Sequence, residues 1–102
     1  LIAPAHWLVE ISNALVTNVR RKRISLEDIG LILRELATYN IEIRPAFSSD
    51  APRLIALASE QNLTACDAAY VILAIDLNAS IATLDKAMRH AAHRLNINVL
   101  PI

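Results

Sequence analysis

Glycine occurs once in the 102 residues, at Gly30, and cysteine once, at Cys66. One glycine leaves no glycine-rich phosphate loop of either nucleotide-binding type. One cysteine excludes an internal disulfide framework and a cysteine-based zinc site, and it fits a reducing cytoplasm. The four aromatic residues, Trp7, Tyr39, Phe47 and Tyr70, are too scattered for a base-stacking platform and read mostly as core. Charge of one sign is not in excess either. Lys+Arg 10 against Asp+Glu 10 gives a net charge of zero, so no global field steers a nucleic acid or a membrane, and a polyanion would have to be held by a local patch. Long apolar runs are missing as well: the longest, Ala68 to Ile75, is far too short to span a bilayer.

What remains is a chain with 55% hydrophobic and 20% charged residues, which excludes a disordered segment and suits one domain with one core. Four short apolar runs read as strands: Leu1–Ala3, Ile41–Ile43, Ser80–Leu84 and Ile97–Leu100. Between them lie helical patterns. Pro4 suits the first turn of a helix running to Arg20, with Leu8, Ile11, Leu15 and Val19 as its apolar stripe. Ser25 to Asp28 resembles a capping box, followed by Ile29, Leu33 and Leu36. Ser49, Asp50 and Pro52 open a third helix that reaches Gln61, and Thr64 with Asp67 opens a fourth. Asp85 caps a fifth, whose inner face is Met88, Ala91, Ala92 and Leu95. Nearly apolar strands alternating with helices predict an α/β domain with a parallel sheet covered on both faces.

Three carboxylates carry the chemical interest. Asp85 follows Ile81-Ala82-Thr83-Leu84, at the carboxyl end of a predicted parallel strand, the edge where open α/β sheets place their ligands. Its other role is the helix cap. Asp67 stands near the start of a helix that is apolar all round and predicted to be buried on most sides. Burying its charge is costly without a partner, and either helix-capping amides or a bound cation would supply one. Glu10 shares a helix face with Asn13 and Thr17, which a solvated polar stripe also explains. If the sheet is parallel, Glu10, Asp67 and Asp85 gather on one edge. An oxygen-only site of that kind suits Mg²⁺ or Mn²⁺ and the hydrolysis of a phosphodiester.

These segments bring a family into view. Leu1-Ile2-Ala3-Pro4-Ala5-His6-Trp7-Leu8-Val9-Glu10-Ile11-Ser12-Asn13-Ala14-Leu15 resembles the second strand and following helix of PIN-domain ribonucleases, especially VapC-type toxins. Leu63-Thr64-Ala65-Cys66-Asp67-Ala68-Ala69-Tyr70 resembles the family's Thr-x-x-Asp-Ala segment, and Ile81-Ala82-Thr83-Leu84-Asp85 its Ala-Thr-x-Asp segment. Ile97-Asn98-Val99-Leu100 is similar to its last strand. The resemblance implies a PIN-like three-layer sandwich, a central parallel sheet flanked by helices. It implies metal-dependent cleavage of RNA by the toxin of a toxin–antitoxin pair, with Glu10, Asp67 and Asp85 as catalytic ligands of Mg²⁺ or Mn²⁺. Asn13 and Thr83 would orient those carboxylates. The implied partners are an RNA substrate, a cognate antitoxin and a second copy of the chain, in the cytoplasm and away from membranes.

One departure is large. The family's first strand, which carries an Asp, has no counterpart here, and the chain opens at Leu1 rather than at a methionine. The expectation is a single PIN-like domain over 1–102 that is incomplete at its N-terminus, with the ribonuclease activity belonging to the complete protein. The alternatives are a catalytically inactive PIN-like interaction module or truncated remnant, and an unrelated α/β domain whose carboxylates only cap helices.

Other residues weigh less. Arg20-Arg21-Lys22-Arg23 suits a helix C-terminus through the macrodipole, and its other reading is a peripheral RNA phosphate contact, about 15 to 20 Å along the helix from Glu10. His90 and His93 share a polar face with Lys86, Arg89 and Arg94 and read as exposed. His6 lies one turn before Glu10, Cys66 reads as a small buried hydrophobe, and Asp76 sits at the other end of the helix from Asp67.

Overall fold

The computed structural model describes residues 1–83 and 85–100. They form five helices and a small parallel sheet, arranged in two compact units, Leu1–Pro45 and Ala46–Ile102. The architecture is mixed α/β and mostly helical.

In the first unit, strand β1 (Ile2–Pro4) pairs in parallel with β2 (Glu42–Arg44), in the register Ile2↔Glu42, Ala3↔Ile43 and Pro4↔Arg44. Parallel strands need a crossover, and helices α1 (Trp7–Arg20) and α2 (Leu26–Ala37) provide it. Pro4 therefore ends a strand instead of opening a helix. Lacking an N–H, it is tolerated at the end of a short ladder, and α1 begins only after the turn that leads to His6. The Ser25–Asp28 capping box forms as its sequence predicts: the Ser25 hydroxyl accepts the Asp28 amide at 3.1 Å, and the Asp28 carboxylate accepts the Ser25 amide at 2.8 Å.

In the second unit, a short 3-10 turn at Ser48–Asp50 leads into α3 (Ala51–Gln61), followed by α4 (Ala65–Leu77) and α5 (Lys86–Arg94). The predicted strands Ser80–Leu84 and Ile97–Leu100 are represented by one parallel bridge, Ile81↔Val99. In it the Ile81 amide donates to the Asn98 carbonyl and the Leu100 amide to the Ile81 carbonyl, both at 2.8 Å. Leu84, the last residue of the first of these runs, lies outside the described residues. The core is here: Val71, Ala74, Ile81, Met88 and Ala92 are buried, and Leu57, Leu63, Tyr70, Leu95, Ile97 and Val99 pack against them. Of the α5 face predicted from periodicity, Met88, Ala91 and Ala92 are buried and Leu95 is partly buried.

Several expected burials fail. Leu8 and Leu33 are exposed on their helices, as are Tyr39 and Phe47, and Cys66 is exposed at the start of α4. Only Ala68, Val71 and Ala74 of α4 are buried, because a helix apolar all round presents more surface than its neighbours cover.

The single glycine leaves helix termination to other residues. Lys22, Asn40, Asn62, Asn78 and Asn96 all have positive φ, between 50° and 58°. Four follow the ends of α1, α3, α4 and α5, and the amide one residue beyond each returns to a carbonyl of the last turn: Arg23 to Asn18, Leu63 to Ala58, Ala79 to Ala74 and Ile97 to Ala92, at 2.8–2.9 Å. These bonds satisfy carbonyls that the helix itself leaves open. Asparagine tolerates the left-handed region better than other residues with a Cβ, and it takes the position in four of the five.

Candidate functional site

Glu10 belongs to the first unit, while Asp67 and Asp85 belong to the second. On α1, Glu10 lies one turn after His6, and its Oε1 is 3.4 Å from the His6 Nε2. Both side chains are partly exposed, at 44% and 29%, so a protonated imidazole there makes a weak ion pair. Asn13, one turn further along α1, is exposed. The run Arg20–Arg23 is exposed at the α1 C-terminus, where the helix dipole favours cations.

Asp67 is the third residue of α4. Its amide donates to the hydroxyl of Thr64, the N-cap, at 3.1 Å. This is one half of a capping box, and it leaves the Asp67 carboxylate half-buried, with no hydrogen bond or ion pair among the described residues.

Asp85 caps α5, its Oδ1 accepting the Met88 amide at 2.9 Å. Thr83 braces the same turn. Its hydroxyl accepts the Asp85 amide at 3.1 Å, and its carbonyl accepts from the Arg89 guanidinium at 3.0 Å. Thr83 thus orients the backbone of Asp85 and makes no hydrogen bond to its carboxylate among the described residues. The Asp85 carboxylate spends one oxygen on the cap, and the other takes no bond among the described residues.

Sequence reasoning missed the side-chain contacts between helices, Arg94 to Gln61 and Arg53 to Asp76. Arg53 on α3 makes a two-pronged pair with Asp76 on α4, at 2.7 and 2.9 Å. The hydrogen-bonded guanidinium holds the Asp76 carboxyl below the usual carboxylate range, and Asp76 raises Arg53 in return. A separation of 23 residues leaves no local signal for such a pair. It ties two helices together at the far end of α4 from Asp67. A shallow groove of about 220 Å³ also lies at that end, lined by Ala74, Ile75, Asn78, Ser80, Asn96 and Asn98. At 1.5 Å per residue it is about 15 Å from Asp67 along α4, and no candidate carboxylate lines it.

Among the described residues, no group of three or more His, Cys, Asp or Glu side chains is gathered closely enough to hold a metal ion, and no helix is long and apolar enough to cross a membrane. No family model and no curated protein matches the chain.

Proposed function

We propose that the chain carries acidic residues of a metal-dependent ribonuclease site of PIN type, with Asp67 and Asp85 of the second unit as its core. The Asp67 carboxylate supports this reading most directly. It stands half-buried in the first turn of α4 with no protein partner among the described residues, and a charge so placed is stabilised by a cation. The donor chemistry agrees, since carboxylate oxygens suit Mg²⁺ or Mn²⁺ and not zinc. A divalent cation supplies Lewis acidity toward a phosphodiester. The chain's own contribution is positional: the Thr64 cap fixes the start of α4, Thr83 fixes the turn at Asp85, and each places a carboxylate at a helix N-terminus that follows an extended residue. The parallel bridge at Ile81 supports placing Asp85 at the carboxyl end of a strand in a parallel sheet. On this reading the fold is a PIN-like sandwich, the substrate is RNA, and an antitoxin and a second copy of the chain are its partners in a reducing cytoplasm.

A second reading has its own observation. The bond from the Met88 amide to Asp85 Oδ1 is a complete helix cap, which on its own explains why an Asp stands there. Substitution by asparagine separates the two, because asparagine caps as well as aspartate but is a poor metal ligand. In the full-length protein, Asp67→Asn and Asp85→Asn are each expected to lower Mg²⁺-dependent RNA cleavage by about 100-fold or more while leaving the melting temperature unchanged. Cleavage at the wild-type rate in both variants, or in the presence of a chelator, leaves only the capping role.

A further inference from the structure

The outward face of α5 has no part in the acidic site and no structural account. From Lys86 to Arg94 the helix carries Lys86, Arg89, His90, His93 and Arg94 and no carboxylate, in a chain whose charges balance overall. Met88, Ala91 and Ala92 are buried on one side. At 3.6 residues per turn, Lys86, His90 and His93 fall within about 60° of arc on the opposite side, in a stripe about 10 Å long. All three are exposed, and none has a hydrogen bond or ion pair among the described residues.

The other cations of this unit are occupied. Arg53 holds Asp76, Arg94 is bonded to the Gln61 side chain and carbonyl, and Arg89 places one arm on the Thr83 carbonyl. The helix dipole sharpens the contrast with Arg20–Arg23. That run sits at a helix C-terminus, where positive charge is favourable, so stability accounts for it. Lys86 is the first residue of α5, whose first turn has no acidic residue, and there a cation opposes the dipole. Beside it stands only the N-cap Asp85, and Lys86 gains no hydrogen bond or ion pair among the described residues.

Resting on the reading of RNA as substrate, we infer that the α5 stripe of Lys86, His90 and His93 is the docking surface for the phosphate backbone of the RNA strand, leading it to the turn at Asp85. Lys86 is complementary in charge, His90 and His93 offer ring N–H donors, and the stripe spans about three phosphates of a stacked strand at 3.4 Å each. With so few contacts the surface binds backbone, not sequence.

The test measures anisotropy of a labelled 12-nucleotide single-stranded RNA against the full-length protein, with chelator present so that nothing is cleaved. Lys86→Gln combined with His90→Ala and His93→Ala is expected to weaken binding roughly tenfold at low salt and to flatten its salt dependence. Lys86→Arg alone is expected to retain affinity, and Arg20→Ala with Arg21→Ala to change it far less than the α5 variant. Hydrolysis of bis(4-nitrophenyl) phosphate with Mn²⁺ is expected to survive the α5 changes and to be lost in Asp67→Asn. Unchanged RNA affinity in the α5 variant overturns the inference, as does a wild-type protein that binds anionic phospholipid vesicles but not RNA. If neither substrate is hydrolysed and RNA binding still depends on α5, the nuclease reading falls and this docking surface stands. Equal binding of single-stranded DNA places recognition in the phosphates and also supports it.

Discussion

The two units use similar helices to different ends. In the second, α4 and α5 bring Val71, Ala74, Met88 and Ala92 together with Ile81 into one buried cluster. In the first, α1 and α2 have equally regular apolar faces, yet Ala3 and Pro4, both in β1, are its only buried residues. Leu8, Val9, Val16, Leu26, Leu31 and Leu33 are exposed. Helical periodicity thus selects a face and says nothing about how much of that face a neighbour will cover. Where α5 meets α4, three of the four predicted inner residues are buried and the fourth, Leu95, is partly so; where an apolar face has no such neighbour, the same pattern leaves leucines in water.

Three pairs of substitutions probe this contrast, in decreasing order of effect. Met88→Ala removes a side chain that is 6% exposed and is expected to cost about 2 to 4 kcal/mol in urea unfolding, through lost burial and a cavity. Leu31→Ala, at a residue 61% exposed, is expected to change the midpoint by less than about 0.5 kcal/mol. Equal losses at the two sites would show that the first unit has a core of its own strength.

The second pair compares helix ends. Asn78→Ala forces an ordinary residue to hold a φ of 50° and is expected to cost about 1 kcal/mol in thermal unfolding, whereas Asn78→Gly should stay near the wild type. Asn40→Ala carries the same local strain. In a unit with so little burial it is expected to appear as faster amide exchange along α2, with the global midpoint unmoved.

The smallest effect belongs to the ion pairs. Asp76 and Arg53 are about half exposed, so Asp76→Asn is expected to cost no more than about 1 kcal/mol, fading in high salt. Because the folded-state carboxyl titrates below its unfolded value, its contribution is present above about pH 4 and is lost as the pH falls below that, through the folded value. Glu42→Gln, whose partner Arg44 lies at 3.5 Å in the first unit, is expected to show no measurable change.

Local chemistry was the legible part of this chain. The Ser25–Asp28 capping box and the Asp85 cap each lie within four residues, a span in which side chain and backbone must meet whenever the helix forms. The proximity of His6 and Glu10 follows from the helical turn alone. Pro4 misled because two of its preferences, helix start and strand end, conflict, and pairing with β2 favours the second. The asparagines beyond four helices are a readable signal, each standing shortly after an apolar segment, at a position where glycine is the usual residue. The Arg53–Asp76 pair depends on how α3 packs on α4, which no local window contains. For the candidate site, sequence supplied the residue types and their positions at helix starts, while the open carboxylate of Asp67 emerged only from the structure.

The asparagine-ended helices bear on the chain before it folds. Glycine at those positions would hold the same left-handed turn, but it would roam a much wider range of backbone angles in the unfolded ensemble, freedom that folding must then remove. A sequence that keeps one glycine in 102 residues and ends its helices on asparagine and lysine starts from a narrower ensemble. Part of what holds these helix ends in place is therefore not a contact in the folded protein but a restriction on the disordered one.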